Sequence, residues 1–152
     1  MKKIPLTQGK FALVDDGDYS DLIRFKWQYH MGYAKRGMKC IKMHRQIFKL
    51  VNVPPRIEID HINGNKLDNR RCNLRICNRS QNVKHVSKRK DTKNTYKGVH
   101  FVKNRNKWIA RIQIDGHRIH SGYYPTQIEA AKRYDQLAKR FHREFAYLNF
   151  PL

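Results

Sequence analysis

Glu58-Ile59-Asp60-His61-Ile62-Asn63-Gly64-Asn65-Lys66-Leu67-Asp68-Asn69-Arg70-Arg71-Cys72-Asn73-Leu74-Arg75, running on through Asn78-Arg79-Ser80-Gln81-Asn82, decides how this chain is read. Residues 57–59 make a short apolar run after Pro54-Pro55, and residues 62–72 are a loop dense in Asn, Gly and Asp. Residues 74–76 can return as a second strand, and Ser80 is a good N-cap for a helix over 80–88. Strand, loop, strand and helix bring Asp60 and His61 on one element toward Asn82 on another. Asp60 offers a hard divalent cation a carboxylate oxygen and Asn82 a neutral one, and two protein ligands leave positions for phosphate and water. His61, with an unperturbed pKa of about 6.5, can take the proton of an attacking water near neutral pH. Arg45 and Arg75 are alternative phosphate contacts. The plainer readings are Asp60 as a loop cap, Asn82 as an exposed helix residue, and Asn63, Asn65, Asn69 and Asn73 as turn formers.

The bulk chemistry points the same way. The 152 residues contain 33 Lys and Arg against 12 Asp and Glu, a formal net charge of +21. That excess is too large for routine solubility and implies a polyanionic partner, most simply nucleic acid. It is heaviest after residue 83, which makes the C-terminal part the principal binding surface. The sequence has no transmembrane run, lipidation signal or signal-peptide stretch, so a soluble intracellular protein with no membrane partner is expected. Cys40, Cys72 and Cys77 are odd in number and form no Cys-x-x-Cys pair, predicting reduced packing residues instead of a disulfide framework or closed zinc site.

Ahead of the central stretch, residues 4–6 and 11–14 flank a Gln8-Gly9-Lys10 turn and predict a small hairpin. Asp15, Asp16 and Asp18 around Gly17 lack the full ligand pattern of a calcium loop and read as a turn and helix cap. A short helix over 20–25 should point Leu22, Ile23 and Phe25 inward. Trp27, Tyr29 and Tyr33 read as a small core, residues 40–43 as a strand, and residues 44–50 as a helix ending before the prolines. His44 is a scaffold or phosphate-contacting candidate.

After a polar linker, a second module begins at Tyr96. Strands are predicted over 96–102, 108–114 and 118–124, the last two joined by an Asp115-Gly116-His117 turn. Thr126 and Glu129 fit a capping box, and Ile128, Ala131, Tyr134, Ala138 and Phe141 recur at helical spacing, a stripe that can cover one face of the sheet. Glu129 with Arg133 and Asp135 with Lys139 are expected surface pairs. Strand alternation turns Arg111, Gln113, Arg118 and His120 to the uncovered face. There Arg can pair with guanine and Gln with adenine, while Lys97, Lys103, Arg105 and Lys107 suit phosphate.

Residues 58–82 resemble the HNH endonuclease motif of phage and intron-encoded homing enzymes. The resemblance implies a beta-beta-alpha-metal centre that cuts or nicks DNA with Mg2+ or Mn2+. By position it makes His61 the general base, Asp60 the acidic metal ligand, Asn73 the brace of the loop carrying the histidine, and Asn82 the occupant of the final histidine position. The region from Gly9-Lys10-Phe11 to Met43-His44-Arg45 is similar, less specifically, to the segment preceding such motifs in phage proteins. Residues 94–150 resemble the AP2 DNA-binding domain through Tyr96-Lys97-Gly98-Val99, Lys107-Trp108-Ile109-Ala110, Ser121-Gly122-Tyr123-Tyr124, Glu129-Ala130-Ala131-Lys132-Arg133-Tyr134-Asp135 and Ala146-Tyr147-Leu148-Asn149-Phe150-Pro151. That likeness places sheet contacts at His100, Val102, Arg111, Gln113, Arg118 and His120. Val102 and His120 depart from its usual Arg and Trp, and His142-Arg143-Glu144 replaces a Gly-containing turn.

The resulting expectation is an α+β chain. It comprises an N-terminal αβ scaffold (1–50), a beta-beta-alpha-metal nuclease module (51–90), a linker (91–95) and an AP2-like three-stranded antiparallel sheet packed on one helix (96–152). The expected activity is that of a monomeric, metal-dependent homing-type endonuclease acting on double-stranded DNA in the cytoplasm of a bacterial or phage-infected cell. A catalytically weakened DNA-binding regulator and an RNA-binding protein are the alternatives.

Overall fold

In the computed structural model, residues 1–52, 56–86, 94–114 and 116–151 are described. They fall into two compact units, Met1–Arg79 and Ser80–Leu152. Pro54-Pro55, most of the expected linker, the end of the helix expected to reach residue 88, and Asp115 of the expected turn lie outside the described residues.

In the first unit, β1 (Lys2–Pro5) and β2 (Phe11–Val14) form the antiparallel hairpin, with Ile4 opposite Ala12. The helix α1 (Asp16–Leu22) starts earlier than expected because Asp16 and Asp18 occupy its first turn, where carboxylates favour the positive end of the helix dipole. Only Leu22 of the expected trio is buried. Ile23 and Phe25 are surface residues, because the chain leaves the helix at that point and Trp27 fills the core instead. The Trp27 indole N–H donates to the Leu22 carbonyl at 2.8 Å. Strands β3 (Gln28–His30), β4 (Tyr33–Arg36) and β5 (Ile41–Lys42) make a three-stranded antiparallel sheet in that order. The helix α2 (Met43–Ile47) is shorter than predicted and buries Met43, His44 and Ile47. Next, β6 (Glu58–His61) pairs antiparallel with β7 (Leu74–Cys77) across a loop that ends in a 3-10 turn, Arg71–Asn73. Ile59 and Leu74 belong to the same core as Ile4, Val14, Leu22, Trp27 and Met43, so the N-terminal hairpin and the β6–β7 pair are packed together. The helix α3 (Arg79–His85) opens at Arg79, which puts Ser80 inside its first turn and not at the cap.

The second unit is a sheet of β8 (Val99–Val102), β9 (Lys107–Ile114) and β10 (His117–Tyr124), in the order β10-β9-β8, with α4 (Gln127–His142) packed on one face. Thr126 caps α4, its Oγ1 accepting the Glu129 N–H at 3.2 Å. Ala110 and Ile112 meet Tyr134, Leu137 and Ala138, while Val99 meets Ala130 and Ala131. The predicted stripe is therefore displaced. Ile128 and Phe141 at its ends are exposed, and Ala130 and Leu137 take the inward places.

Asp135 is not a surface partner of Lys139. It is buried, and its carboxylate accepts the Asn149 and Phe150 backbone N–H groups, each at 2.9 Å, plus the Asn149 amide at 3.1 Å. Those donors hold the C-terminal tail against α4. Arg133 turns to the Ser121 hydroxyl and the Gln136 side chain, not to Glu129. At the corner that lacks the Gly-containing turn, Arg143 adopts φ +50° and the buried His142 donates from Nε2 to the Gln113 carbonyl at 3.0 Å. Among the described residues no helix is long and apolar enough to cross a membrane.

Gly98 fixes how closely α4 approaches the sheet. Its φ is +71°, and a Cβ there would lie 2.0 Å from the Tyr134 ring and 2.7 Å from the Arg111 carbonyl oxygen. Both the backbone strain and the overlap penalise any side chain. Gly98→Ala is expected to destabilise the second unit by about 3 kcal/mol, read as a fall in the urea midpoint.

Candidate functional site

The β6–β7 register puts Asp60 opposite Arg75 and His61 opposite Leu74. Asp60 is buried, and its Oδ2 accepts both Nε (2.9 Å) and Nη2 (2.6 Å) of Arg75. The cross-strand position hands the guanidinium of Arg75, one of the two phosphate-contact candidates, to the neighbouring carboxylate. Arg45, the other candidate, is engaged with backbone. Its Nη1 donates to the Ile57 carbonyl at 2.9 Å and its Nη2 to the Leu50 carbonyl at 2.7 Å, so the planar fork braces the backbone that follows α2 against the backbone that enters β6.

His61 is buried, with Nε2 at 3.3 Å from Asn69 Oδ1. The Asn69 amide is oriented by its own Nδ2, which donates to the Leu67 carbonyl at 3.2 Å. An amide oxygen can only accept, so the imidazole carries its proton on Nε2 and keeps the lone pair on Nδ1. Asn73 ties the two ends of the loop together. Its Oδ1 accepts the Asn63 N–H at 2.9 Å, its Nδ2 donates to the Asp68 carbonyl at 2.8 Å, and its own carbonyl accepts the Ile62 N–H at 2.8 Å. Asp68, 2% exposed, receives Arg70 through both oxygens at 2.7 Å and the Asn63 amide at 2.9 Å. The hydrogen bond from Arg70 outweighs burial and holds this carboxyl below its usual range.

The loop is also stitched to the N-terminal elements. The Leu13 N–H donates to the Leu67 carbonyl and the Asn69 N–H to the Leu13 carbonyl, each at 2.8 Å. The Arg71 guanidinium grips the Asp18 carboxylate at 2.7 and 2.8 Å, and its backbone N–H reaches Asp15 at 2.7 Å. The acidic turn of the sequence is thus an anchor for the loop.

His44 packs edge-on to His61 with ring centroids 5.0 Å apart, and Tyr33 lies 5.6 Å from His44 and 6.2 Å from His61. Burial, with help from the His61, Lys42 and Arg45 charges, pushes the His44 pKa down to about 3. Burial also lowers that of His61, against the opposing pull of Asn69 and of the Asp60 and Asp68 carboxylates. Both rings are neutral near pH 7. Asn82 is half-buried on α3, within the second unit. Cys40 and Cys72 are exposed and Cys77 is buried, all as free thiols.

On the sheet of the second unit, Arg111 is paired with His120 and Gln113 with Arg118 across β9 and β10, so the four share a face. His100 on β8 lies opposite Ile109, and burial and the Arg111 and Arg118 charges lower its pKa. Lys103, Arg105 and Lys107 are exposed around the β8–β9 connection, and the Arg105 guanidinium sits 4.6 Å from the centroid of the Tyr123 ring. Lys97 does not belong with them. Its Nζ donates to the carbonyls of Lys84 (2.7 Å) and Val86 (2.5 Å), closing the C-terminal end of α3, and burial lowers its pKa to about 8. A lysine that satisfies helix-end carbonyls acts as a structural cap.

Residues 42–84 match the HNH endonuclease family. An uncharacterized HNH endonuclease of Acanthamoeba polyphaga mimivirus is 31% identical over 147 residues, which cover 93% of this chain and 76% of that protein. No solved structure matches. The chain belongs to the HNH endonuclease family, and the matched span takes in α2, the β6–β7 pair with its loop, and most of α3.

Sequence reasoning passed over Asn69, Tyr33 and the Asp15/Asp18 anchor. Asn69 and the two acids did stand out as turn-forming types, but nothing local connects them to His61 or Arg71. The buried histidines also set an acid limit on stability. Their folded pKa values lie below the unfolded value, so the unfolded chain binds more protons as pH falls through about 6.5 and stability is lost there. His44 alone should account for about 2 kcal/mol between pH 7 and pH 5. Urea midpoints at the two pH values should converge in His44→Gln relative to the wild type.

Proposed function

We propose that this protein is a divalent-metal-dependent DNA endonuclease of homing type, acting as a monomer and nicking one strand per encounter. The observation that carries the reading is the buried, neutral imidazole of His61, fixed through Nε2 by Asn69 and adjacent in sequence to the Asp60 carboxylate. In this reading Nδ1 of His61 takes the proton of the attacking water. The imidazolium that forms keeps its Nε2–H on Asn69 and is favoured by the Asp60 and Asp68 charges. Asn73 acts as a positioning residue, holding the loop that carries Asn69.

Among the described residues no three His, Cys, Asp or Glu side chains gather as a metal cluster. A cation would be held by Asp60 and Asn82, an oxygen pair whose chemistry suits Mg2+ or Mn2+. When bound, the metal would stabilise the charge developing on the phosphate and the leaving oxygen. The second unit would supply an AP2-like reading of duplex DNA, with His100, Arg111, Gln113, Arg118 and His120 toward base edges and Lys103, Arg105 and Lys107 toward phosphates. The Asp60–Arg75 pair favours one alternative, a DNA-binding regulator whose centre has lost activity, and the assay below separates the two.

Supercoiled plasmid incubated with the full chain should become open-circular with Mg2+ or Mn2+ and stay intact with chelator. His61→Ala should lower the rate by about 100-fold or more. Asn69→Ala should lower kcat by about 10- to 100-fold, since it releases the ring without removing the base. Cleavage by His61→Ala at the wild-type rate would overturn the assignment.

A further inference from the structure

Tyr33 on β4 carries two ammonium groups. The Nζ atoms of Lys42 and Lys66 each lie 4.6 Å from the centroid of its ring. The two lysines come from distant parts of the first unit, Lys42 from the end of β5 and Lys66 from the loop between β6 and β7. The stem of Lys66 runs along Gly32, where an added Cβ would meet Lys66 Cδ at 3.3 Å. Two cations have thus been led to one aromatic ring, and that ring lies 6.2 Å from His61 and 5.6 Å from His44.

The charge surrounding them is unfavourable as it stands. Lys42 is directly opposite Lys35 in the β4–β5 ladder, and like charges in that position destabilise a sheet. Arg45 and Lys66 add further positive charge, and Glu58 acts the other way. Among the described residues neither ammonium has a carboxylate within salt-bridge distance, although the acids nearby are placed on arginines: Asp60 on Arg75, Asp68 on Arg70 and Glu58 on Arg79. Cations gathered without a counter-charge beside a buried imidazole are stabilised when an anion arrives. An ammonium serves phosphate as a point charge, without the fork geometry that the arginines here spend on carboxylates.

We propose that Lys42 and Lys66, held on the ring of Tyr33, form a clamp for a backbone phosphate of duplex DNA at the nuclease centre. The proposal rests on the nuclease reading above, and it is separate from the phosphate contacts assigned to the second unit. The clamp would hold the strand with its phosphate facing His61, so it contributes both to affinity and to the rate of the bound complex.

Two measurements on the full chain test it. First, duplex binding is followed by fluorescence anisotropy across a KCl series without divalent metal, in the His61→Ala protein, with Lys42→Gln, Lys66→Gln or the corresponding Arg variants added. Each Gln variant should reduce the slope of log K against log salt by about 0.9, and each Arg variant should restore it, which excludes loss of fold as the cause. Second, steady-state cleavage is measured with His61 intact. Each Gln variant should lower kcat at saturating DNA about tenfold or more, whereas Lys132→Gln, an exposed lysine of α4, should leave kcat unchanged. An unchanged salt slope in both Gln variants overturns the clamp and leaves a solvated basic surface. A reduced slope with unchanged kcat also overturns it, since the phosphate would then be held away from the chemistry. If the wild type cuts nothing, the failure belongs to the nuclease reading, and the salt slope alone decides whether the phosphate is held.

Discussion

From the end of the loop between β6 and β7, the side chain of Asn73 bonds to the loop's start at Asn63 and to its middle at Asp68, and the geometry around His61 depends on that crosslink. The loop from Ile62 to Cys72 has little apolar content, so hydrophobic packing cannot hold it in one shape. Buried amides and one buried carboxylate hold it instead. Each such bond contributes only about 1 kcal/mol net, but leaving a partner unsatisfied costs about 1–3 kcal/mol. A network of this kind is stable only when complete, which makes it a rigid mount for an imidazole. Asn63, Asn69 and Asp68 are bound into the same network, and the backbone of Leu13 on β2 closes it from outside.

The charge distribution follows a related division. In the first unit the carboxylates of Asp15, Asp18, Glu58, Asp60 and Asp68 are engaged with arginine side chains or backbone amides that hold elements together. Arginine suits that work because its planar fork meets two oxygens at once. Lysines are left to carry the uncompensated excess, and around Tyr33 they are concentrated beside the two buried histidines.

The second unit repeats the device with different parts. Asp135, buried on α4, gathers the backbone and side chain of Asn149, and the Asn149 side-chain oxygen Oδ1 in turn accepts the Lys97 backbone N–H at 2.7 Å. That lock ties the tail to the entrance of β8. The helix side of the sheet is lined by Ala110, Ala130, Ala131 and Ala138, whose small side chains permit the close approach that Gly98 completes. The opposite side keeps its polar residues in register as cross-strand pairs. Lys97, which looks from composition like one more basic contact, closes the end of α3 and so connects the helix bearing Asn82 to the beginning of this sheet.

The sequence by itself determined the features that rest on near neighbours. Local patterning placed the N-terminal hairpin, the β6–β7 pair and the strands of the second unit but not β3 and β4, the Thr126 cap and helical spacing placed α4, and the order of Asp60, His61, Asn73 and Asn82 marked the family. Only the tertiary structure decided the partners of the charged and amide groups. Arg71 meets Asp18 across 53 positions and the Lys97 N–H meets Asn149 across 52. Likewise Arg75 closes on Asp60, Asp135 turns inward away from Lys139, and Lys42 and Lys66 converge on Tyr33. A periodic pattern is fixed by backbone geometry within a few residues, whereas a hydrogen bond between distant side chains exists only after the core has brought their elements together. Which guanidinium receives which carboxylate is settled by that packing.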